Sequence, residues 1–162
     1  MKKGINYCIE VAIQMSNYPI WWDSDLTLYN KYTDPQTQII TWRRTVLQGC
    51  FVKSAGATVS VGNTVIETDD VLIRIRQSPK YKSKKDYINM PNDLMSNYFT
   101  LGVGDIIVFG EVDDTINEYS SGHRSSDLVA KYKELDGCIE IKQIADNTGI
   151  GRCNPHYFVR GI

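Results

Sequence analysis

Short apolar runs separated by turn residues recur along most of this chain, and this pattern constrains the fold more than any other feature. Residues 106–109 read Ile-Ile-Val-Phe, and residues 71–76 alternate apolar side chains with Arg74 and Arg76. A continuous β-branched run is typical of a strand buried on both faces, whereas alternation is typical of a half-buried strand. Strand–helix alternation is missing. We therefore predict a mainly β protein, a small antiparallel β-barrel or sandwich with long loops and one or two short helices.

Local signals place the individual elements. We expect a central strand over residues 106–112, and a tight turn at Gly62-Asn63 after the alternating residues 58–61. Ser125 or Ser126 is expected to cap a short helix that carries Leu128, Tyr132 and Leu135, with Asp127 and Lys131 as a supporting pair. Further strands are predicted over residues 26–29, 39–51 with a possible break at Gly49, 138–144 and 157–160.

The first 22 residues are predicted to form an N-terminal extension, separate from a β-barrel-like domain over residues 23–162. Apolar residues between Ile5 and Ile13 fit one face of a helix and also one face of a strand, and β-branching favours the strand. Trp21 and Trp22 follow a Tyr-Pro break. Core packing is the ordinary role for such a pair, and an anchor on a neighbouring subunit is the alternative.

Composition narrows the classes of function. A formal net charge of −1 gives no global basic field for nucleic acid. No run of about 18 apolar residues spans a membrane, and polar residues interrupt the start of the chain where a secretory signal would lie. We expect a cytoplasmic product with reduced thiols.

Catalytic signatures are weak throughout. The four cysteines are far apart, and Cys153 with His156 is the one pair at a spacing that suits a metal; an ordinary loop histidine is the favoured interpretation. The adjacent aspartates at positions 69–70 and 113–114 are typical of solvated turns. The glycines at 102 and 104 lack the rest of a dinucleotide fingerprint. We therefore expect no enzyme activity, no catalytic residues, no metal site and no cofactor.

Two polar loops are long enough to suggest a function, residues 77–97 and residues 117–126. The first contains a cluster of four lysines, which are candidates to face a channel or DNA: Lys80, Lys82, Lys84 and Lys85. A solvated surface loop is the simpler interpretation. The second loop, together with the tryptophan pair, supplies the candidate residues for a subunit interface: Trp21, Trp22, Tyr119, His123 and Arg124.

Several segments, in this order and spacing, resemble an uncharacterised family of siphophage proteins from the head–tail morphogenesis region. They are DLTLYNKY (25–32), WRRTVLQG (42–49), YFTL (98–101), GDIIVFGE (104–111), DNTG (146–149) and HYFV (156–159). That family is similar to head-closure (stopper) proteins, which form a β-barrel ring between the portal-bound adaptor and the tail.

The resemblance implies a structural virion protein, a ring-forming head–tail connector of the phage neck. The expected partners are copies of itself, portal-adaptor proteins and a tail terminator or tail tube, with packaged DNA as a further candidate in the channel. The expected location is the virion neck, and the host cytoplasm during assembly. The alternatives are a tail terminator or other tail ring protein and, from another class, a small β-barrel that binds nucleic acid.

Overall fold

The computed structural model of the chain describes residues 18–61, 64–149 and 154–162, and it describes residues 55–61 and 64–69 by their backbone alone. The expected strand near the N-terminus, the Gly62-Asn63 turn and Cys153 lie outside the described residues. No helix of the described part is long and apolar enough to cross a membrane.

Six antiparallel strands of the described chain close into a barrel in the order β1-β2-β3-β6-β5-β4, which confirms the predicted fold class. Their bounds are β1 Ser24–Thr33, β2 Ile40–Val61, β3 Thr64–Arg76, β4 Ile106–Phe109, β5 Cys138–Asp146 and β6 His156–Gly161. Two short helices, α1 Lys84–Ile88 and α2 Ser125–Lys133, lie between strands, as does a 3-10 turn at Met95–Asn97.

Alternate side chains of β1 point to opposite sides. One set lines the apolar interior of the barrel, and the other set packs in a smaller cluster outside it. Leu26 and Leu28 are fully buried in the barrel interior together with Ile107 of β4. Tyr29 lies on the other side of β1 and packs with Ile106, Val108 and Leu128, so that α2 covers the outer face of β1 and β4. Burial on both faces explains why β4 is a continuous apolar run.

The central strand, the helix that follows it and the side-chain pair expected to support that helix differ from their predictions. The central strand ends at Phe109 and not at residue 112, because Gly110 turns the chain with φ +89°. Helix α2 is capped at Arg124 and ends at Lys133, so Leu135 lies outside it and is 75% exposed. Lys131 pairs with Asp114 at 2.7 Å and not with Asp127, which accepts from the backbone of Arg124.

The lysine-rich segment is also more ordered than expected. Helix α1 begins inside it at Lys84, after Ser83, whose Oγ accepts a hydrogen bond from the backbone N–H of Asp86 at 3.2 Å. Tyr81 forms a parallel bridge with Phe99, and Tyr87 is buried. The segment is therefore held against the barrel and is not a free loop.

A buried carboxylate fixes the position of β4. Asp105 Oδ1 accepts a hydrogen bond from the Lys31 backbone N–H at 2.9 Å, and Oδ2 accepts from Asn30 Nδ2 and the Gly102 N–H, both at 2.8 Å. Asn30 also donates to the Thr100 carbonyl oxygen at 2.7 Å. Burial raises the pKa of the Asp105 carboxyl above its usual range, although these donors and the Lys84 ammonium favour the charged form.

Replacing Asp105 with asparagine should destabilise the barrel. An amide has one acceptor oxygen, so its NH2 group would face at least one of the N–H donors that the carboxylate now satisfies. We expect the free energy of unfolding to fall by about 1–3 kcal/mol, measured by urea denaturation with tryptophan fluorescence. The control is Asp93→Asn at an exposed position, for which a change within about 0.5 kcal/mol is expected. Equal losses in the two variants would contradict the role of Asp105.

Candidate functional site

β2 and β3 both extend beyond the region in which they pair with the other strands of the barrel. β2 pairs with β1 as far as Cys50 and with β3 from Phe51 onward, while β3 pairs with β6 only from Val71. Within the described structure, residues 55–61 and 64–70 therefore pair only with each other, and we call this segment the β2–β3 ribbon. At about 3.3 Å per residue the ribbon is about 23 Å long.

Both edges of the ribbon carry backbone N–H and C=O groups that no third strand of the described chain pairs. Such edges readily accept another strand, and an isolated two-stranded ribbon is marginally stable on its own. The register places Val59 opposite Ile66 and Ala57 opposite Thr68. This combination is suited to a contact with another protein surface. Sequence reasoning did not identify the ribbon.

The tryptophan pair divides between core and surface. Trp22 is 4% exposed, and its ring lies 5.2 Å from that of Tyr18, 6.2 Å from Phe51 and 5.7 Å from His156. The Trp22 ring is therefore covered within the chain, as expected for core packing, the ordinary role of such a pair. Trp21 is 62% exposed and stays a candidate for the interface.

Residues 18–22 pack against the barrel. The Tyr18 hydroxyl donates to the Pro155 carbonyl oxygen at 2.6 Å and accepts from the Gln77 N–H at 3.2 Å. Arg76 lies 5.0 Å above the Tyr18 ring, and it donates to the Trp22 carbonyl oxygen at 2.6 Å. The folded part of the chain thus includes Tyr18, and a boundary after residue 22 would separate groups that pack together.

The loop over residues 117–126 folds back on the barrel. The Tyr119 hydroxyl accepts a hydrogen bond from the Ile40 backbone N–H at 3.0 Å, and Trp42 Nε1 donates to Glu118 Oε1 at 2.7 Å. His123 and Arg124 are exposed beside a cleft of about 50 Å³. The loop is therefore anchored at its start and presents His123 and Arg124 to solvent.

The four lysines have different surroundings. Lys82 lies 4.8 Å above the Tyr98 ring, and Lys84 Nζ occupies the space next to Gly102 where a side chain would otherwise project. Lys80 lines a groove of about 600 Å³ beside Gly49 and Arg76, while Lys85 is exposed on α1. All four stay candidates to face a channel or DNA, and Lys80, Lys84 and Lys85 are exposed.

Two cysteines and one histidine of the described structure are buried or partly buried. Burial raises the pKa of the Cys50 thiol to about 12 and raises that of Cys138 as well, so both stay protonated at neutral pH. His156 is buried between the Asn154 carbonyl oxygen at 2.7 Å and the Asn147 side chain at 3.2 Å. In the described part of the chain, no three His, Cys, Asp or Glu side chains are placed to hold a metal.

A family model described as "Family of unknown function (DUF6751)" matches residues 21–162. The chain belongs to this family. No curated protein and no solved structure matches the chain significantly. The DUF6751 match begins at Trp21 and covers all six strands of the described barrel.

The two tryptophans should respond very differently to truncation. Trp22→Ala would leave a cavity among three aromatic rings and should lower the free energy of unfolding by about 3–5 kcal/mol. Trp21→Ala removes an exposed ring and should change it by no more than about 0.5 kcal/mol. Thermal and urea unfolding of the matched pair measure both effects. Similar losses in the two variants would show that the assigned burial is wrong.

Proposed function

We propose that this protein is a structural subunit of a tailed-phage virion, a head–tail connector that forms the head-closure ring of the neck. The segments that resemble siphophage morphogenesis proteins coincide with parts of the barrel: residues 25–32 lie in β1, residues 42–49 in β2 and residues 156–159 in β6. The resemblance therefore concerns residues that build the core.

The β2–β3 ribbon is the observation that carries the proposal. A closed barrel has no free strand edge of its own, so a subunit of this kind needs an added element through which to assemble. Identical subunits in a closed ring make head-to-tail contacts, in which a projecting element of one subunit lies on the body of the next. A ribbon about 23 Å long supplies such an element.

The area that a stable interface requires also favours the ribbon as the element that contacts the next subunit. A stable interface buries about 1,200–2,000 Å² in total, and a small barrel offers little flat surface for this. The ribbon adds two strand edges and two faces, while exposed Trp21, His123 and Arg124 add candidate contacts on the barrel body. In this proposal the ring lies between portal-adaptor proteins and the tail, in the neck of the virion.

Shortening the ribbon should abolish assembly and leave folding intact. Deleting residues 58–61 and 64–67 joins Ala57 and Thr68 to the native Gly62-Asn63 sequence, and removes an even number of residue pairs, so the alternation of the ladder is kept. The shortened gene is introduced into a phage that lacks this gene. We expect filled heads without tails in electron micrographs and a loss of plaques.

Three measurements make this experiment decisive. The shortened protein must unfold at the same urea concentration as the complete chain, because the deleted residues lie outside the parts of β2 and β3 that close the barrel. Normal titre with the shortened protein would exclude the ribbon as the interface. Normal tailed particles from the phage that lacks the gene altogether would refute the neck assignment itself.

A further inference from the structure

The register of the barrel brings together two outward rows of side chains that the sequence keeps far apart. Phe51 of β2 pairs with Arg74 of β3, and Arg74 pairs with Phe158 of β6. In the second row, two residues further along each strand, Lys53 pairs with Leu72, and Leu72 pairs with Arg160. We call these six residues the outer sheet face.

Burial shows that these rows point away from the barrel interior. Their neighbours in sequence, Ile73 and Val159, are fully buried in the core, and alternate residues of a strand point to opposite sides. The three basic side chains of the outer sheet face are exposed, whereas Phe51 and Phe158 are half-buried. The face therefore presents partly open aromatic rings next to cations.

The cations and rings alternate across the strands. Arg74 stands between the two phenylalanines in the register, and its guanidinium carbon lies 5.5 Å from the centre of the Phe51 ring. Arg160 pairs with Asp70, which is largely buried, while its own side chain keeps 44% of its surface exposed. The Trp22 ring lies next to the Phe51 ring, with 6.2 Å between their centroids and an angle of 30° between their planes.

This arrangement fits one class of ligand best. Proteins bind single-stranded nucleic acids by stacking unpaired bases on aromatic rings and by holding the phosphates with neighbouring cations. A duplex would offer its phosphates but no base faces for Phe51 and Phe158. An acidic protein surface would satisfy the cations but would not require aromatic rings between them.

We propose that the outer sheet face binds single-stranded nucleic acid, with Phe51 and Phe158 against bases and Lys53, Arg74 and Arg160 against phosphates. This site differs from the lysine-rich segment, and it does not depend on the proposed role in the neck. A ring subunit and a free barrel would both carry it.

The test is binding of the full chain to a fluorescent oligothymidine of about 15 nucleotides, within the site sizes of single-strand binders. Fluorescence anisotropy is followed between about 50 and 200 mM salt, where phosphate contacts are strongly salt-dependent. We expect Arg74→Ala and Phe158→Leu each to weaken binding about 5-fold or more. Lys53→Ala should also weaken binding and should reduce the salt slope by about 0.7.

Lys85→Ala is the matched control, because it removes one exposed lysine from α1 and should leave the affinity unchanged. Phe158→Leu keeps an apolar side chain, and its unfolding curve is compared with that of the unmodified protein. No binding at the lowest salt would overturn the proposal, as would equal losses for Arg74→Ala and Lys85→Ala. Equal affinity for a duplex of the same length would do so too, because stacking on the rings would then be excluded. Virion assembly is scored separately, so either proposal can fail alone.

Discussion

Asp105 stands where the barrel closes, between the loop that follows the lysine-rich segment and the short strand β4. Its two oxygens accept three N–H donors from β1 and from that loop, and Asn30 links the same loop to β1 through Thr100. A four-residue strand has few ladder bonds of its own. The position of β4 against β1 therefore depends on this buried network, and the Ile106 side chain under α2 depends on it in turn. A buried charge without these partners would be strongly unfavourable.

Strand β2 connects the surfaces to which we assign functions. Over its first half it pairs with β1 and closes the barrel, and over its second half it pairs with β3 and forms the ribbon. Gly49 allows the change with φ +64°, a conformation that other residues rarely adopt, and Arg76 lies against it so closely that a Cβ there would meet the guanidinium. Phe51 and Lys53 follow directly. One strand thus carries the core, part of the outer sheet face and the ribbon.

Local patterns predicted those parts of the fold that depend on near neighbours. The alternation around Arg74 and the apolar run at 106–109 identified strands, because burial of one face gives alternating apolar residues and burial of both faces gives a continuous apolar run. The Trp21-Trp22 pair did not show which ring is buried, because an irregular segment has no fixed periodicity. The helix at Lys84 was missed although Ser83 and Asp86 provide a capping signal, because the density of lysines favoured a solvated loop.

The outer sheet face was beyond sequence reasoning for a different reason. Phe51, Arg74 and Phe158 become neighbours only when the strand order and the register are both known, and a shift by one residue would turn each side chain into the core. The net charge of the chain did not indicate the outer sheet face either. At physiological salt, charges more than about 8 Å apart are largely screened from each other, so a total of −1 for the chain does not oppose a local row of cations. At this surface a polyanion meets Lys53, Arg74 and Arg160, of which Arg160 is already paired with Asp70.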